Sequence, residues 1–271
     1  LTVALRGPAV KGERPVRPAA YVLQAVREYL INKYPDIANQ LLHSGLKVYT
    51  TVDLNMQQSA EAAFYNGLSD MPPDLEGALI AIDPSNGHIK AMVGGRSLNR
   101  GEYNRALEAK RQPGSAFKPF LYTAAIDLGY TPASMIPCDP VYFPQADGSV
   151  YQPQDYGDKP YHYRAFTLKE ALMVSDNVVS VKLNQQVGPH TTADYAHRMG
   201  IKSTLRPYLS LALGTLEVTP LEMAAAYCPL ANGGKKVEPL FVLRVSDARG
   251  KVIEENNTQL SEAIDPRTAY I

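Results

Sequence analysis

Residues 77–95 read GALIAIDPSNGHIKAMVGG, two apolar runs separated by Pro84, Ser85, Asn86 and Gly87. Those turn residues reverse a chain between strands, so the segment predicts a β-hairpin that ends at Gly94 and Gly95. A hairpin joined so tightly is antiparallel, and whatever else the chain forms has to pack around antiparallel sheet. LKVYTTV at 46–52 predicts another strand from its β-branched and aromatic residues. KKVEPLFVLRVSD at 235–247 and KVIEE at 251–255 predict two more, joined at Ala248, Arg249 and Gly250.

Elsewhere the apolar period changes to that of a helix. Val22, Leu23, Val26, Tyr29 and Leu30 predict a helix from about Ala20 to Tyr34, stopped at Pro35. Asp53 is expected to cap a helix to about Leu68, with Met56, Ala60, Ala63 and Phe64 facing inward. After Pro113 and Gly114, Ser115 begins a helix whose inner stripe includes Phe117, Phe120, Leu121 and Ala124. Thr167 with Glu170 and Thr219 with Glu222 are capping boxes. A helix from Asn177 to Val187 ends at Gly188, and Asp265 with Pro266 opens a last one. The long connection 130–166 carries Tyr142, Tyr151, Tyr156, Tyr161 and Tyr163, and a loop of that length is more often functional than incidental. Tyr151 and Tyr156 are expected to pack the loop rather than border a cleft. The organisation is α/β (α+β), with a helical half inserted between strands.

The 271 residues carry 27 Lys+Arg and 27 Asp+Glu, so no excess of positive charge marks a nucleic-acid surface. With 45% apolar and 20% charged residues the chain is of ordinary globular composition. No apolar run approaches the roughly 18 residues that cross a bilayer. The chain begins at Leu1 rather than Met, and residues 1–20 read as a linker or as the tail of a preceding domain, so it is expected to be a piece of a longer protein. Cys138 and Cys228 form no CxxC and have no histidine at ligand spacing, which predicts buried thiols, with no metal site and no cofactor.

Ser115-Ala-Phe-Lys118 places a hydroxyl and an amine three residues apart, on one face of a first helical turn. A serine hydroxyl is a weak nucleophile until a base takes its proton, and a lysine can do so once burial lowers its pKa. A helix N-terminus would add backbone N–H groups where an oxyanion develops. S-x-x-K alone is weak evidence: 14 serines and 13 lysines give roughly 0.7 such pairs by chance. Ser44 and Lys47 form a second pair, at a strand entry where no helical turn joins them. Ser175, Asp176 and Asn177 sit at a break between two predicted helices, where a hydroxyl and an amide could relay a proton and grip a substrate amide. An N-cap is the plain alternative, and Ser97, Leu98 and Asn99 repeat S-x-N by chance. The motifs become specific as an ordered pair.

S-x-x-K followed by S-D-N is the signature of penicillin-binding proteins and class A β-lactamases. The words RQPGSAFKPFLYTAAIDLGYTP, FTLKEALMVSDNVVSVKL and LALGTLEVTPLEMAAAYCPLANGG resemble the transpeptidase domain of class A, bifunctional penicillin-binding proteins. The resemblance covers about 45–271. It implies a penicillin-binding protein/β-lactamase-like serine transpeptidase fold, an antiparallel sheet flanked by helices with an all-helical subdomain. It implies 1–45 as a segment following an absent glycosyltransferase domain, and 46–271 as the transpeptidase domain. It makes Ser115 the acylated nucleophile, Lys118 its proton acceptor, Ser175 the relay and Asn177 a ligand of the substrate peptide. Asp176 is expected to hold the junction through backbone bonds.

The family's third motif, K-T-G or K-S-G on an edge strand, is missing; Lys202, Ser203 and Thr204 come nearest and lack the glycine. Truncation before that motif is the expectation. The implied activity is a D,D-transpeptidase that cross-links peptidoglycan stem peptides through a Ser115 acyl-enzyme and is inhibited by β-lactams. Its partners would be a D-Ala-D-Ala donor and an amine acceptor, on the extracytoplasmic face of a bacterial membrane, with the anchor outside this segment. A β-lactamase would need the deacylating Glu of an E-x-x-L-N stretch, and none occurs. A non-catalytic β-lactam sensor or cell-wall assembly scaffold is the remaining alternative.

Overall fold

A computed structural model describes residues 2–4, 19–35, 45–96, 103–145 and 147–271. In chain order its strands are β1 Thr2–Ala4, β2 Lys47–Thr50, β3 Leu79–Ile82, β4 Ile89–Val93, β5 Met135–Cys138, β6 Phe143–Pro144, β7 Val150–Tyr151, β8 Arg164–Thr167, β9 Lys235–Val237, β10 Val242–Ser246, β11 Val252–Glu255 and β12 Leu260–Glu262. The helices are α1 Ala20–Lys33, α2 Leu54–Leu68, α3 Arg105–Glu108, α4 Lys118–Asp127, α5 Leu168–Met173, α6 Asn177–Val187, α7 Pro189–Met199, α8 Pro220–Ala231 and α9 Pro266–Tyr270. Most of the expected linker, Ser44, and the chance motif Ser97-Leu98-Asn99 lie outside the described residues.

The chain divides into two units. One draws on Leu1–Ala109, Thr219–Cys228 and Val237–Ser261, the other on Lys110–Val218, Pro229–Lys236 and Glu262–Ile271. In the first, β1, β2, β10 and β11 form an antiparallel sheet in that order. The buried face of α1 supplies Val26 and Leu30 against Val48, Val242 and Val245. That match of a 3.6-residue stripe to alternate strand positions is what the sequence periods require. The expected hairpin is β3 with β4, in register from Leu79 opposite Val93 to Ile82 opposite Ile89. Its turn closes through Asp83, whose carboxylate accepts from the Ser85 N–H and hydroxyl, and through Gly87 at φ 74°.

Two expectations change in this unit. The run 235–247 is not one strand: β9 and β10 are separated around Pro239, which cannot donate to a ladder. On α2 the buried position is Gln57, while Met56 is exposed and so is Ala63. Gln57 behaves as a surrogate peptide group, its Nε2 donating to Met92 O at 2.9 Å and its Oε1 accepting from Met92 N at 2.8 Å. Satisfying a buried strand outweighs the preference for an apolar side chain at that position.

Glu254 on β11 ties the sheet to α1. Lys33 Nζ and Tyr34 Oη each donate to it at 2.6 Å, and Tyr29 Oη donates to it as well. Burial pushes its carboxyl up, but the donors from Lys33, Tyr29 and Tyr34 outweigh that and hold it at about 2. A carboxyl depressed on folding stabilises above its unfolded pKa and loses that contribution as pH falls towards the folded value. Glu254→Gln is therefore expected to cost about 2 kcal/mol at pH 7, after discounting screening at the half-exposed Lys33. Urea unfolding at pH 7 and at pH 2.5 checks this: the gap between variant and parent should close as the pH falls from about 4.5 towards 2.

The second unit is mainly helical, with the short antiparallel pairs β5–β8 and β6–β7 in the long connection. α4 packs on α6 and α7, and a 3₁₀ turn at Leu209–Leu213 lies against α6. Phe117, Phe120, Leu121, Val178, Val181 and Leu183 are fully buried there. Buried Asn184 fixes the 3₁₀ segment by donating to Leu209 O at 2.9 Å, while its own oxygen accepts from Thr192 Oγ1 at 2.7 Å. Of the loop tyrosines, Tyr151 stacks on Phe143, whereas Tyr156 is fully exposed and packs nothing, contrary to expectation.

Candidate active site

Pro113 and Gly114 do not open the α-helix directly. Gly114, at φ 59°, starts a 3₁₀ turn through Phe117, and α4 begins at Lys118 with Pro119 in its first turn. The Lys118 N–H bonds back to Ser115 O, which keeps serine and lysine on one turn. The consequence is a division of environments: Ser115 is exposed while Lys118 is 1% exposed.

The capping box foreseen at Thr167 and Glu170 is formed and starts α5, which stops at Met173. Ser175 then takes φ 57°, a left-handed conformation uncommon for a side chain larger than glycine. Asp176 caps α6, its Oδ1 accepting from Val179 N at 2.7 Å, and its N–H donates to Ala171 O. The structural role expected for Asp176 is thus visible in its bonds. Ser175 is exposed beside this buried cap.

Lys118 joins the two motifs. Its Nζ donates to Ser175 O at 2.5 Å, to Ser175 Oγ at 2.9 Å and to Asn177 Oδ1 at 2.8 Å. Burial lowers the amine to about 8, against an upward pull from the carboxylates of Asp176 and Asp155. An amine so placed is neutral in about a tenth of molecules at pH 7, far more than an exposed lysine. Behind it Tyr122 and Ser180 share a hydrogen bond at 3.3 Å, and Ser180 Oγ donates to Asp176 O at 2.6 Å.

No sequence motif marks Asp155. Its Oδ1 accepts from Asn177 N at 2.6 Å, and Gln154 O accepts from Asn177 Nδ2 at 3.1 Å, so the long loop orients the Asn177 amide. Only its place in an over-long connection hinted at this. Cys138 and Cys228 are buried, as expected. Cys138 lies with Asp155, His162 and Asp176 in a group whose ligand atoms are all within 4.8 Å of one another. Lys202, Ser203 and Thr204 follow α7 in an irregular segment and belong to no strand.

A second close approach supports the serine turn. Gly214, at φ 67°, ends the 3₁₀ turn at Leu209–Leu213, and its carbonyl accepts from Gly114 N at 3.2 Å. A Cβ there would sit 2.1 Å from Gly114 O.

The buried lysine amine thus meets a serine and an asparagine from another helix junction, and shares a turn with the exposed Ser115. A family model described as the penicillin binding protein transpeptidase domain matches residues 77–269. The chain belongs to that family. Penicillin-binding protein 2D of Bacillus subtilis is 39% identical over 256 residues, covering 94% of this chain and 37% of that protein. Penicillin-binding protein 1A of Aquifex aeolicus is 31% identical over 339 residues, covering 94% of this chain and 46% of that protein. The structure of PonA1 from Mycobacterium tuberculosis in complex with penicillin V superposes with a TM-score of 0.79 at 27% identity, over 93% of this chain and 69% of that one. Within the family the chain is similar to class A members, and it spans less than half the length of the two curated relatives.

Proposed function

We propose that the chain carries the D,D-transpeptidase site of a peptidoglycan-synthesising penicillin-binding protein, with Ser115, Lys118 and Ser175 catalytic and Asn177 binding substrate. Ser115 Oγ attacks the carbonyl of the penultimate D-Ala of a stem peptide, and its proton passes to Lys118 Nζ. The tetrahedral intermediate collapses to an acyl ester as the terminal D-Ala nitrogen takes a proton through Ser175 Oγ, and D-Ala leaves. An amine of a neighbouring stem then attacks the ester, gives up a proton along the same path and restores Ser115. Splitting the exchange into two acyl transfers lowers the barrier to each. The observation that carries this reading is the contact of Lys118 Nζ with both Ser175 Oγ and Asn177 Oδ1, which supplies an accepting base and a relay at one point.

A β-lactam would enter by the same attack on its ring carbonyl, leaving a penicilloyl ester. The partners are stem peptides as donor and acceptor, at the extracytoplasmic face of a bacterial membrane. Among the described residues no helix is long and apolar enough to cross a membrane. A membrane anchor, a glycosyltransferase domain and the third motif are part of this reading, by likeness to class A relatives. The test uses intact mass after exposure to benzylpenicillin, then a pentapeptide donor with an amine acceptor. One adduct per chain, lost in Ser115→Ala, together with D-Ala release coupled to acceptor ligation, is the expected result. An adduct without transfer in the full-length protein would favour the sensor reading, and no adduct would sink both.

A further inference from the structure

The side chains that meet beside the Ser175–Asn177 junction are joined by hydrogen bonds in part, and these leave one buried carboxylate oxygen, Asp176 Oδ2, without such a bond. Cys138 Sγ lies 3.1 Å from Asp155 Oδ2 and 3.4 Å from His162 Nδ1. His162 Nδ1 in turn lies 3.2 Å from Asp155 Oδ2 and 3.2 Å from Asp176 Oδ2. Zinc bonds of about 2.0–2.3 Å to oxygen, nitrogen and sulfur give tetrahedral edges of roughly 3.3–3.6 Å; these four separations would change by a few tenths of an ångström, and the remaining pairs, all within 4.8 Å, would close on the ion.

Each carboxylate is also held as a one-oxygen ligand would be. Asp155 uses Oδ1 for Asn177 N and turns Oδ2 inward; Asp176 uses Oδ1 for Val179 N and turns Oδ2 inward. The Asp176 side chain is fully buried, and its Oδ2 makes no hydrogen bond of good geometry although the Cys138 thiol and the His162 ring both lie against the carboxylate. Its approach to His162 has the distance of an ion pair without the direction of a hydrogen bond. A buried carboxylate oxygen left in that state is costly and calls for a cation. The backbone N–H of His162 points at Cys138 Sγ, 3.3 Å away, an outer contact of the kind that orients a metal-bound thiolate.

We propose that Cys138, Asp155, His162 and Asp176 form a tetrahedral zinc site. One thiolate, one imidazole and two carboxylates suit zinc, and four protein ligands leave no open position, so the site is structural rather than hydrolytic. On binding, the Cys138 thiol loses its proton to solvent and His162 coordinates through a neutral Nδ1. The ion would staple three points of the 138–162 loop to Asp176, between the serine and asparagine of the S-D-N motif. Sequence spacing hid the site, because its ligands are 17, 7 and 14 residues apart and match no compact metal motif.

The test is read on metal, independently of any transpeptidase activity. The purified protein is stripped with a chelator under native conditions, titrated with Zn²⁺ and with Co²⁺, and melted with and without zinc. One equivalent bound, a thiolate-to-cobalt charge-transfer band and a zinc-dependent rise in Tm are expected. Cys138→Ser should remove the charge-transfer band. His162→Gln, on a partly exposed ring, should weaken zinc binding by at least about 10-fold and stands as the deciding variant if Cys138→Ser does not fold. Absence of the cobalt band and of any zinc effect on Tm in folded protein would overturn the proposal. So would equal zinc binding by the parent and His162→Gln.

Discussion

Lys118→Met should reduce the rate of acylation by benzylpenicillin by about 10³-fold while leaving the protein folded. Removal of a general base costs about 10²–10⁴ in rate, and the amine removed here is also the one that contacts the proposed relay, Ser175 Oγ. Methionine fills a similar volume without a charge, and the residue it replaces is buried, so a gross change in packing is not expected. The parent's pH profile gives an independent check. With the amine lowered to about 8, acylation should rise with pH through that value as the neutral form accumulates, and level off above it. Lys118→Arg should be as slow as Lys118→Met at every pH, because a guanidinium does not deprotonate. A Lys118→Met variant that labels at the parent's rate would remove Lys118 from the base's role.

Gly214→Ala should slow acylation by about 10²-fold without touching any of the four proposed site residues. Its Cβ would fall 2.1 Å from Gly114 O and 2.6 Å from Gly114 N, and the glycine already stands at φ 67°. Backbone cannot yield there as a flexible side chain could, so the turn that carries Ser115 has to shift. Displacement of a nucleophile by about 1 Å is enough for a loss of this size. Gly129→Ala is the control: its φ is also positive, at 97°, but nothing lies within 4 Å of the added carbon. It should cost about 1–2 kcal/mol of stability and leave the labelling rate unchanged. Equal labelling rates for the two variants would show that the contact between Gly214 and Gly114 does not set the position of Ser115.

The sequence made the regular elements readable where local chemistry decides them. The 77–95 hairpin, the capping boxes at Thr167 and Thr219, and the stop of α1 before Pro35 all follow from residues within a few positions. Ser115 and Lys118 were legible for the same reason, being joined by a single turn. What the local pattern does not encode depends on contacts distant in sequence. Gln57 replaces an apolar residue because it answers Met92, 35 positions away. Asp155 reaches Asn177 from 22 positions away, and Cys138 joins His162 from 24 away. No local period records such meetings. The break of β9 from β10 was present in the sequence as Pro239, whose missing donor was outweighed by the strand-like residues around it.

The spans that hid those contacts also order events during folding. Lys118 meets Ser175 across 57 residues, and the loop carrying Asp155 bonds the start of α6 across 22. Helices such as α4 and α6 need only neighbouring residues to start, whereas closing long loops costs entropy before any contact repays it. Competence to react with a β-lactam should therefore appear after most of the helical circular dichroism has returned during refolding. A penicillin label added at intervals would count fully assembled molecules and report the last stage of folding from the chemistry of the site itself.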